Sequence, residues 1–225
     1  MPSAKRGGGG MSDQRRHRVR LEISREASRL FWDQGVDATS GEQIAEAVGL
    51  SVRTIWRHFR SKESCAEPIV TQGVAWEMAT LRGWPPHLSL EEHFAAESSR
   101  YGREADAVER ADTALAVKMI RLADTEPAIR TAWLMACDQV EREMTEIIAH
   151  RLRLPADDLD VRLHGAAASA ALRVINEEIG AALLAGVDPR EYADAPARVA
   201  HAVRRATGGA VGDPVAGRST PPAEA

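Results

Sequence analysis

Residues 30–62 read LFWDQGVDATSGEQIAEAVGLSVRTIWRHFRSK, and the fold turns on how this stretch breaks into helices. Gly35 ends a helix that begins upstream, as glycine does just past a helix C-terminus. Ser40 opens a short second helix, with Gln43 completing a capping box; Thr39 with Glu42 is an alternative register. Ile44, Ala45 and Val48 then share one side. Gly49 supplies the positive φ of a tight turn without steric cost. Ser51 caps a third helix that turns Val52, Ile55 and Phe59 inward. Ser61 caps the next, with Lys62 at its first position. Two short helices joined by a glycine-centred turn form a helix-turn-helix, whose second helix can enter the DNA major groove.

With Val52, Ile55 and Phe59 inward, Arg53, Thr54, Trp56, Arg57 and His58 face outward or lie at the margins. Arg53 and Arg57 are four apart and share a helix face. Arginine is the commonest reader of guanine, so these two are the base-contact candidates. Thr54, Trp56 and His58 offer phosphates a hydroxyl, an indole N–H and an imidazole. Lys62 adds a cation beside free backbone N–H groups at a helix start, a phosphate site. Ser40 and Ser51, capping their helices, complete the DNA-facing set. Two alternatives stand beside this reading: the arginine face is only solvated, and Trp56 belongs to the core.

Working outward, Val19, Ile23, Ala27 and Leu30, widened by Phe31, make the apolar stripe of a first helix over 16–34. Downstream, helices are expected over 62–81 (kinked near Pro68), from Ser89 to Tyr101, 104–122, 127–152, from Asp157 or Asp158 to Leu184, and from Asp188-Pro189 to Arg205 with a break at Pro196. No sustained period-two pattern calls for a strand. The expected class is all-α with about nine helices: a disordered tail (1–15), a three-helix DNA-binding domain (16–62), a larger helical domain (63–206), and a second tail (207–225) rich in Gly and Pro.

The 225-residue chain carries a net charge of −4, unevenly distributed. Residues 1–62 hold 12 Lys and Arg against 7 Asp and Glu, and the remainder 17 against 26. A basic N-terminal segment on an acidic body points to a polyanionic partner. No membrane span and no secretory signal is expected. Cys65 and Cys137 lack paired spacing, which suits a reducing cytoplasm. The chain lacks GxSxG, P-loop, GxGxxG and HExxH motifs, and no histidine pair sits at metal-ligand spacing, so neither enzyme nor cofactor is expected.

The stretch 30–63 resembles the N-terminal domain of TetR-type transcriptional regulators: LF…G before the second helix, TS..QIA within it, VGLS at the turn, and RTIWRHF.SKE beyond. The resemblance implies DNA contacts at Arg53, Thr54, Trp56, His58 and Lys62. Two positions depart from the pattern. Trp56 stands where tyrosine is usual, and Gly41 stands where an apolar residue is common, which is expected to weaken the second helix.

The C-terminal region is similar to the family's ligand-binding half only in general architecture. By that likeness its last two helices pair with a second copy. Ala167, Ala170, Ala171, Val174 and Ile175 supply a face small enough for close packing. Candidate contacts for a largely apolar small molecule are Trp76, Trp84, Phe94, Tyr101, Met119, Trp133, His164 and Asn176, with Met135. The expected function is a cytoplasmic, homodimeric, ligand-responsive repressor of a palindromic operator. The rivals are a ligand-independent regulator, an activator, and a helical interaction module without specific DNA binding.

Overall fold

The computed structural model describes residues 9–187 and 194–215. Among these residues every regular element is helical: α1 (Gly9–Gln34), α2 (Gly41–Ala47), α3 (Val52–His58), a 3₁₀ turn (Glu63–Ala66), α4 (Glu67–Arg82), α5 (Leu90–Glu104), α6 (Ala107–Leu122), α7 (Pro127–Leu152), α8 (Leu159–Leu184) and α9 (Ala195–Ala206). The class is all-α, as expected. The chain divides into two compact units, Met1–Gly73 with Ala107–Ala136, and Val74–Asp106 with Cys137–Ala225. α4 and α7 run across these boundaries.

In the first unit α1 (Gly9–Gln34) is already helical from the first described residue, inside the expected tail. Its stripe is Ile23, Ala27 and Phe31, all fully buried, with Ser24 and Ser28 between them; Val19 and Leu30 are only half-buried. The small serines let neighbouring backbone approach. Ser24 Oγ accepts from Ile69 N–H at 3.0 Å, satisfying a first-turn donor of α4 that has no partner in its own helix. Arg25 grips buried Asp112 of α6 with two bonds of 2.7 Å, a charge-assisted fork that joins α1 to α6. Asp112 holds the Arg25 guanidinium above its ordinary pKa against the opposing effect of burial.

The helix expected from Lys62 is instead a 3₁₀ turn followed by α4. Pro68 therefore lies in the first turn of α4, where its missing N–H would have been free anyway, and it causes no mid-helix kink.

In the second unit Ser89 and Glu92 form the expected capping box of α5, and Asp158 caps α8. Pro196 sits in the first turn of α9 and starts that helix where a break was expected. The expected start at Asp188-Pro189 lies outside the described residues. Residues 207–215, expected as part of a tail, pack instead. Thr207 Oγ1 accepts from buried Val211 N–H at 3.3 Å, Leu90 N–H donates to Gly212 O at 2.8 Å, and Val215 N–H donates to Pro86 O at 2.8 Å. The Gly-rich composition here serves turns whose polar backbone finds partners, so it was a poor sign of disorder.

Candidate nucleic-acid interface

The helix-turn-helix is set by caps and a buried edge. Ser40 accepts from Gln43 N–H at 3.2 Å while Gln43 Oε1 accepts from Ser40 N–H at 2.8 Å, which fixes the first of the two registers. Thr39 is committed elsewhere, donating to Gly35 O at 2.8 Å. Gly49 takes φ +67° at the turn. Ser51 Oγ accepts from Thr54 N–H at 3.2 Å and lies 2.9 Å from Thr54 Oγ1. Ile44, Ile55 and Phe59 are buried and Val52 is half-buried. Each fully buried side chain of this size contributes about 1.5–3 kcal/mol, so the rotation of α3 about its axis is fixed.

That rotation leaves Arg53 and Arg57 exposed, with no hydrogen bond or ion pair among the described residues. His58 is half-buried. Burial, followed by Arg57, Arg20 and Arg16, holds its imidazole below the ordinary pKa.

Trp56 is neither free nor core: it is 43% exposed, and its six-membered ring rests on Gly41. A Cβ at Gly41 would lie 2.3 Å from Trp56 Cζ2 and 2.9 Å from Cη2. The two departures from the TetR pattern are therefore one feature, in which the larger ring occupies the volume that a side chain at 41 would fill. α2 keeps its start through the Ser40–Gln43 capping box, so the glycine does not leave that end unsupported.

Lys62 departs from expectation. Its Nζ donates to Val36 O at 2.7 Å, Thr39 O at 2.9 Å and Asp37 O at 3.3 Å. All three ammonium protons hold the turn between α1 and α2, so the ammonium is not free for phosphate. The sequence reading also missed Arg20. Its guanidinium donates to His58 O at 2.5 Å and stacks 4.5 Å over the Phe59 ring, bracing the end of α3. The available signal was a cation one turn ahead of Ile23 on the buried side of α1.

The ligand candidates separate. Trp76, Phe94 and Tyr101 cluster, with centroids 6.1 Å apart for Trp76–Phe94 and 5.6 Å for Trp76–Tyr101. Asn176 donates to both oxygens of Glu77 at 3.1 and 3.0 Å. Glu77 went unnoticed in the sequence, although it falls on the α4 stripe with Val70, Val74, Met78 and Leu81 and is equally buried. Trp84 is structural: its indole donates to Leu88 O at 2.9 Å, and Arg151 stacks 3.3 Å over its ring. Met119 and Trp133 are buried core residues of the first unit, Met135 is 61% exposed, and His164 is half-buried. Two concavities of about 590 and 470 Å³, one beside His150 and Arg153 and one beside His201 and Arg205, have none of these candidates in their walls.

Comparison with known proteins agrees with this geometry. The model of bacterial regulatory proteins of the tetR family matches residues 23–69, and that of the MftR C-terminal domain matches residues 101–184. The HTH-type transcriptional regulator TcmR of Streptomyces glaucescens is 35% identical over 156 residues, which cover 67% of this chain and 68% of that protein. Salmonella enterica GusR aligns with a TM-score of 0.56 at 20% identity, over 85% of this chain and 95% of its own. FadR of Thermus thermophilus, a TetR family transcriptional repressor in complex with lauroyl-CoA, aligns with a TM-score of 0.52 at 20% identity, over 92% of this chain and 100% of its own. The two structures share the fold. The matched family and the curated relative are transcriptional regulators, not enzymes. The chain belongs to the TetR family and is a DNA-binding transcriptional regulator.

Proposed function

We propose that this regulator is a cytoplasmic, homodimeric repressor that leaves a palindromic operator when a small, largely apolar molecule binds its second unit. The observation that carries the DNA-reading half is the outer face of α3, where Arg53 and Arg57 are exposed and unpaired among the described residues. They are the base readers. Thr54, Trp56 and His58 are phosphate donors, and Ser40 and Ser51 set the helix starts. One such helix covers too few bases for specificity, and a dimer reads two half-sites a helical turn apart.

Two features of the second unit support the rest. α8 exposes Leu159, Leu163, Ala170 and Val174 in one line, with Ala167 half-buried between them. Such an apolar stripe is more than a solvated helix needs and suits a second copy. Inside the unit, the Trp76–Phe94–Tyr101 cluster and the pair of buried Glu77 with half-buried Asn176 combine aromatic surface with a few fixed polar groups, the composition of small-molecule sites. An inducer acts by binding the DNA-incompetent state better than the competent one. α4 is continuous through Gly73 and Val74, where one unit ends and the next begins.

The test is a thermal-shift screen of apolar metabolites followed by competition with labelled operator duplex. Compounds that raise Tm should release the duplex. A set of binders, none of which alters release, would remove the inducer mechanism. L163E/V174E should sediment as a monomer and lose operator affinity; an unchanged dimer would place the interface elsewhere.

A further inference from the structure

α1 spans Gly9–Gln34, yet among its described side chains the first that is fully buried is Ile23. Over residues 13–18, Asp-Gln-Arg-Arg-His-Arg, every side chain is exposed. Helical turns that are polar all round bury nothing against their own fold, which leaves their side chains available to a partner outside it. The charges say which partner. Arg15, Arg16 and Arg18 have no ion pair among the described residues, whereas Arg29, Arg60, Arg100, Arg121 and Arg142 each meet a carboxylate. The only acid from 13 to 21 is Asp13.

The position of this segment is fixed by its neighbour. One turn beyond Arg16, Arg20 is bonded to His58 O at the end of α3. Arg16 is close enough to His58 to contribute, after burial, Arg57 and Arg20, to holding its pKa down. The cationic turns of α1 thus lie beside the end of the helix that reads the groove, where the sugar–phosphate backbone flanks the half-site.

We propose that the first turns of α1 are a second DNA contact, in which Arg15, Arg16 and Arg18 grip backbone phosphates beside the bases read by α3. This rests on DNA binding through α3. The grip adds affinity without sequence preference, since phosphates carry no sequence information.

The experiment measures affinity of the full chain from 50 to 300 mM salt, for a duplex selected from a random pool and for a scrambled duplex. In R15A/R16A/R18A the slope of log K against log salt should become shallower by about 2–3, at about 0.9 for each phosphate no longer neutralised. At 0.1 M salt affinity should fall by up to about 500-fold if all three arginines reach phosphates, equally on both duplexes. R15K/R16K/R18K keeps the charges and should keep the slope. R121A/R130A/R142A removes three exposed arginines elsewhere and should leave it unchanged. An unaltered slope in the alanine triple overturns the proposal. So does an equal change in the distant control, or a lysine triple as weak as the alanine one. Wild-type protein that binds neither duplex overturns the α3 reading beneath it as well.

Discussion

Placing a methyl group at Gly41 should reverse its effect according to what stands at 56. The Cβ would lie 2.3 Å from Trp56 Cζ2, whereas ordinary contact begins near 3.4 Å. The indole, or the start of α2, must therefore move by about 1 Å, and overpacking of this kind costs about 1–3 kcal/mol. Gly41 lies in a helix and has no positive φ, so alanine itself is the better residue there by up to about 1 kcal/mol. G41A should thus destabilise the wild-type chain but stabilise W56Y, whose single ring is smaller. Thermal unfolding of wild type, G41A, W56Y and G41A/W56Y completes the cycle. The coupling is expected at about 1–3 kcal/mol in favour of the doubly substituted chain. DNA binding should follow: about tenfold or more lost in G41A, as 1.4 kcal/mol corresponds to tenfold, and most of it regained in G41A/W56Y. Additive effects with no change of sign would refute the packing of Trp56 on Gly41.

Two further outcomes concern half-buried Lys62 and buried Glu77. K62M should lower stability by about 1.5–3 kcal/mol, because it removes charged hydrogen bonds to three carbonyls, and should weaken DNA binding by loosening the α1–α2 turn. Denaturant unfolding checks this; unchanged stability with a reduced salt slope would return Lys62 to the phosphate-binding set. Burial holds the Glu77 carboxyl above the ordinary carboxylate range, against the opposing bond from Asn176. Its ionised form therefore opposes folding, fully above the raised pKa and not at all well below the ordinary value of about 4.3. E77Q should accordingly be more stable by about 1–3 kcal/mol at pH 7–8, with the gain shrinking as pH falls towards 4. Melts from pH 4 to 8 test this, and a gain that grows on acidification would contradict it.

The helix-turn-helix was legible because its signals are local. Ser40, Gly49 and Ser51 act within a few residues, and the spacing of Val52, Ile55 and Phe59 fixes a face without reference to the rest of the chain. What escaped depends on residues distant in sequence. Lys62 looks free until the Val36, Asp37 and Thr39 carbonyls are brought to it, and Gly41 looks like a weak helix former until Trp56 arrives. Residues 207–215 read as a tail because glycine and proline mark tight packing turns as readily as disorder. The ligand candidates were least legible. A helical Trp or Met reads alike whether it packs, as Trp84 and Met119 do, or gathers with Phe94 and Tyr101, as Trp76 does. Glu77 was detectable as a carboxylate on an apolar stripe.

The most direct test of the central claim, that the outer face of α3 reads DNA sequence, is the ratio of affinities for a selected duplex and a scrambled one in wild type, R53A and R57A. Wild type should favour the selected duplex by about 10³ or more. Each arginine variant should lower that ratio by about 10- to 100-fold, the worth of one bidentate guanine pair, while affinity for scrambled DNA falls far less. A wild-type ratio near one, or variants that lose both affinities equally, would contradict the account.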